Sequence, residues 1–505
     1  MLLSIRKLSS HFGWMMVVLL AVTGVLTPGG SYGRELSLDQ ALNIALYHTA
    51  RGDMIEGNLE VARQYYSARR INMYLPEISI NGALPTYARD ESYRPFSNPL
   101  DRQLYEERNL DFNSFIELNQ SLITGGSLTA TADLTSNDRR YPNTYFPAGS
   151  GMFVDQISRS GRFNFTLDQP LFRPSSVKNE LHNREDDLEI ARMTKIEEET
   201  ALKQEVTEAY LTVLQLTLKA EMTADKLEKA TLQEEIDSAK LSDGVLSEED
   251  YLLSSSARLD AELEHFEVET ELEEQKRELA TLLDFDVTEP LELADPTPGE
   301  LIDEATRERL VAAWERTVPI KKAEHQYEKS KREAEYAAAG HGLTGDLNAT
   351  YSLGRQKIET DRVDPTGEAQ NFEESIKTAG WSVGLQFRLP VWDGGAGDAA
   401  VKAAKYQAEQ AKYEYTRAQR SARAQILNLI NQLEVSYQRL DIVGKQIELA
   451  KGRLDIARER QADGQISMLT LLESRIFYLE TRDRYLEELK TYMVNNIELQ
   501  GKFIG

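Results

Sequence analysis

Six histidines, His11, His48, His182, His265, His325 and His341, are the only imidazoles, and no two keep the His-x-x-x-His spacing of a metal pair. The chain has no cysteine, which removes a disulfide framework, thiolate ligands and a lipid-anchored N-terminal Cys. No Gly-Lys-Ser/Thr loop is present to cradle a phosphate. The run Gly394-Gly395-Ala396-Gly397 follows a strand and opens a helix, as nucleotide-binding turns do, but no parallel-sheet unit surrounds it. Acid runs such as Glu197-Glu198-Glu199 and Glu248-Glu249-Asp250 fit solvated helix faces better than general acids. These residues predict no enzymatic activity, no cofactor and no metal.

Composition narrows the class further. Over 505 residues the net charge is −25, so no basic face is available for a nucleic acid. Residues 1–33 read as a secretory signal. Arg6 and Lys7 precede an apolar run from Phe12 to Leu26, and the small residues Ser31 and Gly33 stand before Arg34. The alternative is a membrane anchor, for which 15 apolar residues are short. No later segment is continuously apolar enough to span a bilayer as a helix, which leaves a β-barrel as the way into one.

The elements that position these residues come in two similar halves. The helix at Ile44-Ala45-Leu46-Tyr47 matches Val311-Ala312-Ala313-Trp314 at an offset of 267, and Ile78, Ile80 and Gly82 match Gly345, Leu347 and Ala349 at the same offset. Further on, Phe163–Phe172 matches Val383–Trp392, and Asp243-Gly244 matches Asp463-Gly464, at an offset of 220. The two offsets differ by 47, the length of an insert within the first half's strands. Phe163, Phe165 and Leu167 alternate with Asn164, Thr166 and Asp168, the pattern of a sheet apolar on one face, at the ~10-residue length of tilted membrane strands.

Long helices follow the strands in each half. Ser176 to about Ser242 holds no proline, with Ser175 or Ser176 able to cap it, and a counterpart runs from Gly395 to about Ala462. Leu202, Val206, Ala209, Val213, Leu216 and Ala220 step by three and four, the coiled-coil rhythm. A second stripe, Tyr210, Leu211, Leu214 and Leu218, predicts neighbours on both sides. In the second half, Leu440, Ile447, Ala450, Leu454 and Ala457 form the seam.

In this order, the Ala41-Leu42-x-x-Ala45-Leu46 helix, Leu75-Pro76, the strand-to-helix junctions Gln169-Pro170-Leu171-Phe172 and Leu389-Pro390-Val391-Trp392-Asp393-Gly394-Gly395, and the Gly-x-x-Ser elements at Gly244 and Gly464 resemble the TolC-like outer membrane factor family. The resemblance implies a mixed fold of a membrane β-barrel on a long α-helical coiled-coil barrel, two tandem repeats per chain and a homotrimer in the outer membrane lipid with its helices in the periplasm. It implies a periplasmic adaptor (membrane fusion) protein and an inner-membrane pump as partners, in efflux or type I secretion, with no nucleic acid. The expected domains are a signal peptide at 1–33, helices at 34–74, barrel strands at 75–173 and a helical hairpin at 174–290. A linker and helix at 291–340, strands at 341–392 and a second hairpin at 393–505 complete them.

The resemblance assigns adaptor contact and closure to the turns Asp243, Gly244, Val245, Leu246, Ser247 and Asp463, Gly464, Gln465, Ile466, Ser467. It matches Asp250 and Glu473 to acidic gating positions, the latter as Glu for Asp. Thr470 stands where a second acid is expected, Ile466 where the type member has a salt-bridging arginine, and Gln461 where it has an aromatic hydroxyl. An Asp250–arginine lock is therefore not expected, whereas three copies of Glu473 would make a ring favouring cations. As residues alone, both acids fit solvated helix faces equally well.

The insert has structure of its own. Ile116-Glu117-Leu118-Asn119-Gln120 repeats Phe165–Gln169, and Leu128, Ala130, Ala132 and Leu134 alternate beyond a turn at Gly125-Gly126. It reads as a duplicated hairpin at about 111–136, between outward loops at about 89–110 and 137–158. Either it adds wall strands, making 18 per trimer instead of 12, or it is an extracellular appendage. A passive porin would spend its length on strands rather than long helices, and a periplasmic adaptor or scaffold would need no membrane strands.

Overall fold

The computed structural model describes residues 36–95, 102–146, 150–287, 291–297 and 304–503. The signal sequence expected at 1–33 lies outside them. Helix α1 (Leu38–Tyr47) starts at a reciprocal cap: the Gln40 N–H donates to Ser37 Oγ at 3.3 Å and the Ser37 N–H to Gln40 Oε1 at 3.2 Å. Helix α2 (Ala50–Tyr74) leads into β1 (Glu77–Gly82), β2 (Thr86–Pro95), β3 (Arg102–Ser121), β4 (Ser127–Pro142) and β5 (Phe153–Leu171). The long helices α3 (Ser176–Ser242) and α4 (Glu248–Leu282) complete the first half. The second half repeats the plan with α5 (Glu304–Ala312), α6 (Val318–His341), β6 (Thr344–Val363), β7 (Ala369–Arg388), α7 (Ala396–Ala462) and α8 (Met468–Gly501). Among the described residues no helix is long and apolar enough to cross a membrane.

One antiparallel sheet joins the strands in the order β1-β3-β4-β5-β6-β7, with β2 also on β3. Residues 83–85 separate β1 from β2. Gly82 faces Ser114 and Thr86 faces Asp111, so four steps on one strand meet three on the other, a bulge. Pro85 sits inside it, where a missing N–H costs no ladder bond.

The strands correct the sequence reading in two ways. Several reach 19 or 20 residues, about twice the length expected from their apolar alternation. The segments 89–110 and 137–158, read as loops, are largely paired strand: Thr86–Pro95 lies against Arg102–Asp111, and Asn137–Pro142 against Phe153–Ser158. Their Tyr, Arg, Asp and Asn content suggested loops, but polar side chains on both faces suit a ribbon in water equally well. The inserted hairpin accordingly extends from Arg102 to Pro142.

The chain divides into two compact units, and each draws on both sequence halves. Of the described residues, one takes in those up to Ala50 and those within Lys203–Glu300 and Ser436–Val494; the other holds those within Arg51–Leu202 and Leu301–Val435 and from Asn495 on. In the first unit Val206, Val213 and Leu216 are buried on α3, and so are Tyr210, Leu211, Leu214 and Leu218. Each fully buried aliphatic side chain here contributes roughly 1.5–3 kcal/mol. Cross-links order four helices as α4–α3–α8–α7. Lys226–Glu264 and Glu234–Arg258 tie α3 to α4, Asp225–Arg475 ties α3 to α8, and Arg439–Glu488 with the Tyr437–Tyr492 ring pair ties α7 to α8.

The other unit holds the sheet with α2, α6 and the adjoining parts of α3 and α7. Asp186, 8% exposed, accepts from His325 Nδ1 at 2.8 Å and from Arg332. Lys322–Glu197 and Lys329–Asp187 continue the α3–α6 seam.

Candidate functional site

The two interhelical turns are built alike. At the end of α3 the Gly244 N–H donates to Leu241 O (3.0 Å) and the Val245 N–H to Lys240 O (2.9 Å). At the end of α7 the Gly464 N–H donates to Gln461 O (3.0 Å) and the Gln465 N–H to Arg460 O (2.8 Å). Both glycines adopt positive φ, 73° and 71°, completing the same αL helix stop. Ser247 then caps α4 and Ser467 caps α8: their Oγ atoms accept from the Asp250 N–H (3.1 Å) and the Thr470 N–H (3.3 Å). Asp243 and Asp463 are exposed, Val245 is 77% exposed, and Leu246 and Ile466 are half-buried.

This geometry gives Asp250 a local partner. Its carboxylate accepts from the Ser247 hydroxyl at 2.7 Å, so it closes the cap and bears negative charge on the first turn of α4. Thr470 holds the equivalent place on α8, 3.1 Å from the Ser467 hydroxyl. The signal for this was in the sequence: Ser-x-x-Asp after a glycine is a capping pattern. Glu473 lies 2.9 Å from Lys229 of α3, so its charge is partly offset, while Gln461 is half-buried in the last turn of α7. The tip residues thus lie at two turns of one unit, each turn stabilised chiefly by its own backbone and cap.

Sequence reasoning missed the polar seam between α3 and α8. Asp225, 3% exposed, meets Arg475 at 3.0 Å, and burial raises its pKa against the opposing guanidinium. Burial likewise raises that of Asp483, with the Lys219 charge opposing. Gln215 bridges the helices, donating to Glu487 at 2.8 Å and accepting from Lys490 at 2.9 Å. These partners are too far apart in the chain for spacing to reveal them.

The junctions at the foot of the sheet combine tight turns with side-chain clamps. Pro170 lies beyond the β4 pairing, which ends at Asp168, and Gln169 donates to Thr124 O at 3.3 Å. Phe172 follows at φ 63°, a left-handed position that strains a bulky residue, and its ring meets Phe387 at 6.3 Å. After Pro390, Gly394 and Gly395 take φ 73° and 87°. The Asp393 carboxylate accepts from the N–H groups of Gly397 (2.7 Å) and Gly395 (2.9 Å) and so opens α7. Those two bonds hold its pKa below the usual carboxylate value.

Around Phe163–Leu167 the sheet carries most of its large apolar residues on one face, with Phe115, beside Asp133, on the other. Phe165 stands opposite Tyr351 and Phe163 opposite Leu353, and Trp381 and Ala379 continue the rows on β7. Trp381 is 77% exposed. Opposite residues share a face, so the alternate set, including Asn164, Ser352, Thr166 and Thr350, covers the other side with polar groups. An exposed apolar patch of this extent marks a membrane or partner surface.

The outer helices of the four-helix row carry a second set of exposed apolar side chains. On α4 these are Leu252, Leu259 and Phe266, and on α7 Ile442, Leu449 and Ile456; both sets step by seven. Among the described residues no cluster of three or more His, Asp or Glu gathers as metal ligands.

Residues 311–501 match the outer membrane efflux protein family. No curated protein matches the chain. Among solved structures, the outer membrane protein VceC of Vibrio cholerae aligns over 93% of this chain and 97% of its own, with TM-score 0.55 and 12% identity. The CmeC outer membrane channel of Campylobacter jejuni aligns over 92% and 86%, with TM-score 0.57 and 11% identity. The open-state MtrE outer membrane channel of Neisseria gonorrhoeae aligns over 92% and 88%, with TM-score 0.53 and 15% identity. At such identities the likeness is one of fold, and it bears out the expected mixture of long helices and barrel strands.

Proposed function

We propose, from the premise that this chain is an outer membrane efflux protein with the TolC-like fold, that three copies form an exit duct in the outer membrane with their helices in the periplasm. Proteins of this family are channels, not enzymes. The duct receives substrate from a periplasmic adaptor and an inner-membrane pump, in efflux or type I secretion. The passive porin and the periplasmic scaffold are set aside.

The observation that carries the assembly is the pair of unpartnered stripes. In the row α4–α3–α8–α7 the inner helices bury both sides, while α4 and α7 each leave in water a stripe of apolar residues spaced seven apart. Heptad stripes seek a facing helix. Packing α4 of one copy against α7 of the next satisfies both and closes a ring. The apolar face of the sheet supplies the membrane surface. The tips at Gly244 and Gly464 present Val245, Leu246 and Ile466 to the adaptor, and Asp250, Glu473, Thr470 and Gln461 are the gate candidates.

Light scattering of the detergent-solubilised protein tests the assembly. The wild type should have the mass of three chains, and Leu449→Asp that of one chain with helix content retained. A trimer that tolerates a charge at both Ile442 and Leu449 would sink the packing. Adaptor pull-down should weaken at least tenfold when Gly244 and Gly464 are both replaced by Val, because each substitution strains an αL stop at the tip.

A further inference from the structure

The inserted hairpin β3–β4 is an integral part of the sheet, paired along its length with β1 and β2 on one side and β5 on the other. Among the described residues β1 pairs with β3 and not with β5, so the hairpin stands between β1 and the strands β5 to β7. The register settles which residues share a height. One row runs Ile78, Leu118, Ala130, Phe165, Tyr351, Trp381, one residue from every strand position. Its neighbour runs Ile80, Ile116, Ala132, Phe163, Leu353, Ala379. All twelve are apolar, and the hairpin's four stand level with the others. The interleaved row, Ser79, Glu117, Thr131, Asn164, Ser352 and Gly380, holds no large apolar side chain. An appendage standing in water above a membrane would need neither the apolar row nor its alignment.

The edges fit the same arrangement. β7 offers 20 residues on one side of the sheet, and β1 with β2 spans Glu77–Pro95 on the other. No described strand of the same chain pairs with either outer edge. A second copy supplies the missing partner on each side.

We infer that β3 and β4 are lipid-facing wall strands, so that each copy contributes six strand positions and three copies close an 18-strand barrel, rather than 12 with an external hairpin. The inference rests on the outer-membrane channel reading above. Barrel diameter grows about linearly with strand number, so this exit would be roughly half again as wide as a 12-strand one. Glu117, Thr131 and Asp133 then line the pore, with Asn164 donating to Asp133 at 2.9 Å across β4 and β5.

Because the chain has no cysteine, single Cys probes are clean. The full-length protein would carry an environment-sensitive fluorophore at Leu118→Cys, Ala130→Cys, Tyr351→Cys, Trp381→Cys or Thr131→Cys. It would be reconstituted into vesicles of phospholipid brominated along the acyl chains. The expected result is several-fold quenching by brominated lipid at 118 and 130, equal to that at 351 and 381, with iodide quenching only the 131 probe. Lipid quenching at 351 and 381 with iodide quenching at 118 and 130 overturns the wide barrel and leaves the channel reading standing. Loss of lipid quenching at all four positions overturns both.

Discussion

Asp225 faces Arg475 across the α3–α8 seam with its second carboxylate oxygen unpartnered. Burial raises its pKa, so its contribution to stability is full below the ordinary value of 3.8 and is lost as pH rises through the raised folded value. Acidification from neutral pH should therefore raise the melting temperature of the wild type relative to Asp225→Asn. Melts followed by circular dichroism from pH 7 downward test this, and a difference independent of pH refutes it. Glu487, whose pKa is lowered by its bond from Gln215, acts in the opposite direction in both proteins and cancels. Glu473 belongs to the same seam through Lys229. If it contributes to an acidic ring, Lys229→Ala should shift the reversal potential toward greater cation selectivity and Glu473→Gln away from it. Reversal potentials unchanged in both variants would remove Glu473 from the gate candidates. The acids near the tips were legible from their distance to a glycine, and the cap partner of Asp250 from its spacing, but the partner of Glu473 was not. Asp250 answers to a hydroxyl three residues away, and Glu473 to a lysine on a helix that only the fold brings near.

Among the elements, the long helices were the most legible, because an uninterrupted stretch between a serine cap and a glycine stop leaves little freedom. The two-sided burial of α3 was also visible in its double stripe. Strand length was not, because alternation reports the apolar zone alone and falls silent where both faces are wet. The turn between β3 and β4 shows how closely the insert is fitted. The Leu122 N–H donates to Gly126 O at 2.8 Å, and a Cβ on Gly126 would fall 2.4 Å from Asp168 O of β5. Gly126→Val should therefore part the hairpin from β5 and lower the melting temperature, whereas Gly384→Ala, where a Cβ meets nothing within 4 Å, should leave it nearly unchanged. Equal melting temperatures for the two variants would show that the close approach does not matter.

At the scale of the whole molecule, the duplication was legible from two offsets, but the compact units were not, since each gathers pieces of both halves. Contiguity in sequence does not survive when helices run past the ends of their own repeat. The proposed trimer also bears on how the protein reaches its membrane. A strand edge in hydrocarbon leaves N–H and C=O groups unbonded, each at a cost of several kcal/mol. A lone copy has two such edges, one along β7 and one along β1 and β2. Leu449→Asp, if it leaves single chains, should therefore also leave them extractable from membranes by urea, while the wild type requires detergent; urea-resistant single chains would contradict this. The bulge at residues 83–85 gains a meaning here. A kinked edge carrying Pro85 is a poor template for stray strands, so in the proposed trimer it would discourage clumping before assembly and leave that edge to a neighbour shaped to follow its kink.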